Sequence, residues 1–169
     1  PIGFDEAVTG LEDIARSDEF VKLWWLPSTG RMLVYRYART DAPDEHDPRR
    51  AWIDEAVVNR HVFAAALGLV RHAPQLTGVV NAAIAATYLE PGTRVARSDR
   101  AFNLAMPPVH RETEWAVPVA RAGDLLRAVD ALLRQRGVRV NFPCEIRFVR
   151  GDDAWMSPAH GPDTCQVGF

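Results

Sequence analysis

A carboxylate and a guanidinium stand two residues apart at Glu145 and Arg147, inside the run FPCEIRFVRGDDAWMSP that covers residues 142–158. If this run opens as a strand, its side chains alternate with period two. Cys144, Ile146 and Phe148 then share one face, and Glu145, Arg147 and Val149 the other. The two charges would stand about 6–7 Å apart along the strand. Such a pair has two readings. On an exposed face it is an ion pair worth less than ~1 kcal/mol. Half-buried and flanked by Phe142, Phe148 and Trp155, it lines a pocket where substrate hydroxyls supply the missing hydrogen bonds. Further along, Asp152-Asp153 could do acid/base work or hold a metal. Placed after Gly151 at a strand end, they read first as a turn with a capping aspartate. Trp155 and Met156 are expected to re-enter an apolar environment, and Ser157-Pro158 closes the run.

Other chemistries lack their signatures. There is no G-x-G-x-x-G, no G-x-x-x-x-G-K-[ST] and no G-x-S-x-G, so neither a nucleotide phosphate cradle nor a nucleophile elbow is encoded. A hydrolase using Asp152, Asp153 or Glu145 as acid or base would have no nucleophile motif beside it. His46, His61, His72, His110 and His160 show no metal spacing, and Cys144 and Cys165 do not add one. The two cysteines read as buried thiols, with a disulfide between them left open.

The elements that must position these residues follow from patterning. At 169 residues the chain can bury one core, and 47% hydrophobic with 25% charged residues fits a water-exposed globular domain. A net charge of −2 argues against a nucleic-acid binder, and Lys22 is the single lysine among arginines. No apolar run reaches 18 residues, so no membrane-spanning helix is expected, and the N-terminus lacks signal-peptide features. A cytoplasmic location is expected. Residues 6–16 read as an amphipathic helix with Asp5 as its N-cap. Residues 20–26 and 32–38 read as a hairpin across Pro27-Ser28-Thr29-Gly30. Of the neighbours Trp24 and Trp25, one must enter the core and the other face a cavity, a partner surface or solvent. Residues 40–49 form a polar loop. Helices are expected over 50–72 and about 77–89, the second apolar on most sides and so buried or packed on a partner. An irregular connection covers 91–112, a strand 112–118 and an amphipathic helix 120–135 that stops at Gly137. The last strand runs over about 164–169. Helices are segregated from strands rather than alternating, which predicts an α+β fold with a mainly antiparallel sheet and flanking helices, in one domain over residues 1–169.

Three stretches add a resemblance. FPCEIRFVRGDDAWMSP with Asp163-Thr164-Cys165 resembles the C-terminal region of the sugar-1,4-lactone oxidases, a family that includes L-gulonolactone oxidase, D-arabinono-1,4-lactone oxidase and alditol oxidase. Trp24-Trp25-Leu26-Pro27-Ser28-Thr29 and Glu114-Trp115-Ala116-Val117-Pro118 are similar to two upstream segments of that family, in the same order. The resemblance implies the substrate (cap) domain of a vanillyl-alcohol-oxidase-type flavoenzyme that oxidises a C–OH by hydride transfer to FAD. By position, Glu145 and Arg147 match the family's E-x-R, which implies that they bind the oxygens of a sugar lactone or polyol. The FAD-binding domain and a downstream H-W-x-K segment have no counterpart here, and the chain begins at Pro1 and ends at Phe169 inside an expected strand. The expectation is therefore a fragment, with no cofactor-binding or metal-binding residues of its own, that would be colourless and inactive alone. The FAD-binding domain of the same protein is the implied partner, no nucleic acid is, and the resemblance leaves room for membrane association of the full-length protein. The alternative is a non-catalytic binding or assembly module.

Overall fold

A computed structural model describes residues 1–27, 29–53, 57, 61–88, 91–103 and 111–169. In chain order the elements are β1 (Ile2–Gly3), α1 (Phe4–Thr9), α2 (Leu11–Ala15), β2 (Phe20–Leu26), β3 (Arg31–Tyr37), α3 (Pro48–Trp52), α4 (Phe63–His72), α5 (Thr77–Tyr88), α6 (Ser98–Ala101), β4 (Glu114–Pro118), α7 (Val119–Arg136), β5 (Cys144–Val149) and β6 (Thr164–Gly168). The fold is α+β, as the segregated pattern predicts. The backbone divides into two compact units. One comprises Pro1–Ala38, Thr77–Glu90 and Glu112–Phe169 and contains all six strands. The other, Arg39–Leu76 with Pro91–Arg111, carries α3, α4 and α6.

The six-stranded sheet has the order β1-β3-β2-β5-β6-β4, and every neighbouring pair is antiparallel. Strand alternation sorts its residues sharply. Leu23, Trp25, Cys144, Ile146, Cys165 and Val167 are buried on one face against Phe4, Ala7, Val8, Leu11, Ala122 and Leu126 of α1, α2 and α7. Burying side chains of this size stabilises by ~1.5–3 kcal/mol each, so this layer anchors β2 and β5. Gly123 lets α7 close on α1, because a Cβ there would sit 3.3 Å from the Val8 carbonyl oxygen. The α7 helix ends as its sequence predicts: Gly137 takes φ 61°, and Val138 N–H donates to Leu133 O at 2.9 Å.

Several expectations are corrected. The 6–16 helix is two short ones, since Gly10 ends α1 with its N–H on Glu6 O and starts α2. The expected 50–72 helix holds at every described residue, α3 and α4 with positions 53, 57, 61 and 62 π-helical; residues 54–56 and 58–60 lie outside the described residues. In α5, among the residues whose burial is described, the buried stripe is Thr77, Asn81 and Ala85, while Val79 is 69% exposed, so the helix is not buried on most sides within the chain. That stripe is anchored by polar contacts as well as apolar ones. Asn81 donates from Nδ2 to Val140 O at 2.7 Å, and Ala85 joins Leu26 and Leu33 on the second sheet face. Trp155 and Met156 do not re-enter an apolar environment: they are 94% and 100% exposed. The reason is local. The Asp152 carboxylate accepts from Ala154 N–H at 3.0 Å and from Ser157 Oγ–H at 2.7 Å, which organises a polar turn after the strand alternation has ended. Asp152 thus takes the turn-capping role.

Candidate functional site

The sheet face opposite α1, α2 and α7 carries the charged residues of β2, β4 and β5. The register explains their arrangement. Lys22 of β2 stands directly opposite Arg147 of β5, which in turn is opposite Gln166 of β6. One row along, Trp24 is opposite Glu145, Glu145 is opposite Gly168, and Gly168 is opposite Glu114 of β4. Two cations thus fall in one row and two carboxylates in the next. Like charges directly opposite each other repel across a ladder. Diagonal pairing relieves this. Lys22 Nζ donates to Glu145 Oε1 at 2.9 Å, and Arg147 Nη2 donates to Glu114 Oε1.

Glu145 and Arg147 therefore do share one face, with Cys144, Ile146 and Phe148 on the other. They are not bonded to each other; each has its own partner. Their surroundings differ from the pocket expected above. Phe148 packs with the helix-side core, and Trp155 sits on the exposed turn. The aromatic wall comes from the hairpin instead. Trp24 meets Tyr35 edge-on with centroids 5.0 Å apart, and Tyr35 stacks with Tyr37 at 6.3 Å. Trp25 is the core member of the tryptophan pair, at 1% exposure. Lys22 Nζ lies 5.3 Å from the Trp24 ring and 5.4 Å from the Tyr35 ring, within cation–π range of both.

The electrostatics follow from this packing. Burial, then Tyr37 and Glu145, pushes the Tyr35 phenol up, and burial followed by Glu145 does the same for Tyr37. Both therefore remain protonated hydrogen-bond donors at neutral pH. The hydrogen bond to Glu114 raises Arg147, opposed by partial burial and reinforced by the charges of Glu114, Glu145 and Glu112. Glu112 reaches this face because Gly168 has no side chain: a Cβ there would meet Glu112 Oε1 at 2.7 Å. The face combines fixed cations, carboxylate acceptors, phenol donors and aromatic rings. That set suits a small ligand with many hydroxyls, which needs donors and acceptors together and an aromatic surface for its C–H groups.

Sequence patterning places Glu145 and Arg147 but misses Lys22, Glu114, Tyr35 and Tyr37. One signal for Lys22 was present, a lone lysine inside the apolar strand FVKLWWL. Cys144 and Cys165 are free and buried, and β6 pairs Cys165 with Phe148 rather than near Cys144, so no disulfide joins them. Burial pushes both thiols up to about 12. His160 belongs to the exposed turn and stacks on Trp155 at 6.5 Å; His110 lies outside the described residues.

Comparison with known proteins gives a consistent result. A family model described as D-arabinono-1,4-lactone oxidase matches residues 1–169. The chain is 27% identical to L-gulonolactone oxidase of Scyliorhinus torazame over 171 aligned residues, which cover 100% of the chain and 38% of that protein. It is 25% identical to L-gulono-1,4-lactone dehydrogenase of Mycobacterium tuberculosis over 92% of the chain and 38% of that protein. A 58-residue stretch, 34% of the chain and 14% of the relative, is 40% identical to alditol oxidase of a Streptomyces species. The chain thus spans well under half the length of these curated relatives.

Proposed function

The chain belongs to the D-arabinono-1,4-lactone oxidase family, and from that premise we propose that residues 1–169 form the substrate (cap) domain of an FAD-dependent oxidoreductase acting on a C–OH of a sugar-1,4-lactone or alditol. The observation that carries this reading is the sheet face where Glu145 and Arg147 stand side by side, each held by an opposite charge, beside the Trp24–Tyr35 wall. Arg147 donates to substrate oxygens and stabilises negative charge that develops on the hydroxyl oxygen as the carbon bearing it is oxidised. Glu145 accepts hydrogen bonds from neighbouring hydroxyls and so fixes which carbon is presented. Tyr35 and Tyr37, held protonated, add donors. When bound, the flavin would supply the acceptor for the electron pair that leaves the C–H bond, and the hydroxyl proton would pass to a base outside residues 1–169.

This face does not fit the role of cofactor cradle. Its cations are already engaged, Lys22 with Glu145 and Arg147 with Glu114, and Glu112 adds a further carboxylate. An FAD pyrophosphate would be repelled there. The proposal therefore assigns the flavin to another part of the protein, an FAD-binding domain in the length that the relatives have beyond this match. Among the described residues no helix is long and apolar enough to cross a membrane.

The test is anaerobic mixing of the flavin-loaded full-length protein with L-gulono-1,4-lactone, D-arabinono-1,4-lactone and an alditol such as xylitol. At least one should bleach the oxidised flavin absorbance, and Glu145→Gln should slow that bleaching. A flavin-loaded protein that none of these compounds reduces would sink the proposal.

A further inference from the structure

Lys22 sits at a position that costs stability by itself. It stands directly opposite Arg147 in the β2–β5 ladder, cation against cation. Yet its side chain is the most enclosed of the four charges, 14% exposed against 33% for Glu145, 45% for Arg147 and 39% for Glu114. Its ammonium has little freedom. It is placed over two aromatic rings at 5.3 and 5.4 Å and hydrogen-bonded to one oxygen of Glu145 at 2.9 Å. Trp24 stands opposite Glu145 in the same ladder, so the cation and one ring that holds it border the carboxylate.

We infer that Lys22 is a positioning residue for Glu145, locking one carboxylate oxygen so that the other is presented to a substrate hydroxyl in a single orientation. This inference rests on the role proposed above for Glu145. A carboxylate with 33% side-chain exposure and no such anchor would sample several rotamers, and each would present a different acceptor direction. The Lys22 bond removes that freedom before substrate arrives. The aromatic wall in turn keeps the ammonium from swinging to solvent. Lys22 acts on the substrate through Glu145, so removing it should matter only while Glu145 is present.

A double-mutant cycle in the flavin-loaded full-length protein tests this. Lys22→Met keeps the aliphatic stem on the rings and removes the donor. It should lower the rate of flavin reduction by lactone ~10- to 100-fold, the scale of losing alignment at a reacting group. The affinity of the dithionite-reduced protein for the lactone, measured by calorimetry without turnover, should weaken in parallel. Lys22→Arg should restore most of both. In a Glu145→Gln background, Lys22→Met should change rate and affinity by no more than ~2-fold, because coupled residues are not additive. Equal losses from Lys22→Met in both backgrounds would overturn the inference while leaving Glu145 in its role. A Glu145→Gln variant with wild-type rate and affinity would instead overturn the reading on which the inference rests.

Discussion

Replacing Arg147 by alanine separates a catalytic arginine from a structural one, because the two roles predict losses of very different size. The Arg147 side chain is 45% exposed and its partner Glu114 39% exposed. An ion pair so open to water is worth at most ~1 kcal/mol. Its removal also relieves the repulsion between Arg147 and Lys22, which stand opposite each other. Stability should therefore hardly change, and even a full 1 kcal/mol would move the melting temperature by at most about 2–4 °C, the figure for a unit of this size and an upper bound for the longer flavin-loaded protein. Catalysis should respond differently. A donor aimed at developing charge contributes ~2.7–4 kcal/mol, or about 10²–10³ in rate. The assay is stopped-flow reduction of the flavin by lactone, read beside differential scanning calorimetry of the same preparation. We expect a rate loss of ~100-fold or more with a melting shift below ~4 °C. A rate within ~5-fold of wild type, or a rate loss that tracks a large fall in melting temperature, would refute the reasoning.

Three further outcomes follow from the packing. The Cys144 and Cys165 thiols have a folded pKa raised from 9.0 to about 12, so they favour folding below pH 9 and that contribution is lost as pH climbs toward about 12; urea titrations at pH 8 and pH ~10.5 should show a smaller alkaline loss for Cys165→Ala than for wild type. Gly151→Ala places a Cβ 2.0 Å from Gly161 O and 2.7 Å from the Pro162 carbonyl carbon, both backbone; it should cost at least ~2 kcal/mol by overpacking, visible as a lower urea midpoint. Trp155→Ala, at a residue 94% exposed, should change stability by less than ~0.5 kcal/mol, and a larger loss by the same titration would mean that the turn packs more tightly than the structure indicates.

Local patterning made much of the fold legible. Period-two alternation in FVKLWWL and in CEIRFV is strong because one sheet face lies under α1, α2 and α7, and that burial forces apolar residues into every second position. The α7 stripe and its Gly137 stop were readable for the same reason, since one helix face is buried and one backbone position needs φ > 0. The expectation for Trp155 and Met156 failed because they lie past the end of such a pattern. Nothing in the order Ala154-Trp155-Met156 says whether the chain turns back to the core; the Asp152 hydrogen bonds decide that. The break at Gly10 is similar, because helical spacing of Val8, Leu11 and Ile14 continues across it.

For the site, the sequence alone determined that Glu145 and Arg147 share a strand face, because alternation is a property of a single strand. It also carried the family resemblance that the match over residues 1–169 bears out. Who meets whom across strands was a matter for the tertiary structure alone. The pairing of β2 with β5 brings Lys22 to Glu145 across 123 residues of chain, and β4 brings Glu114 to Arg147 through β6. The physical reason is that register depends on the simultaneous burial of the other sheet face. Leu23, Trp25, Ile146 and Val167 must lie together under the helices, and only that constraint sets which charges fall in adjacent rows.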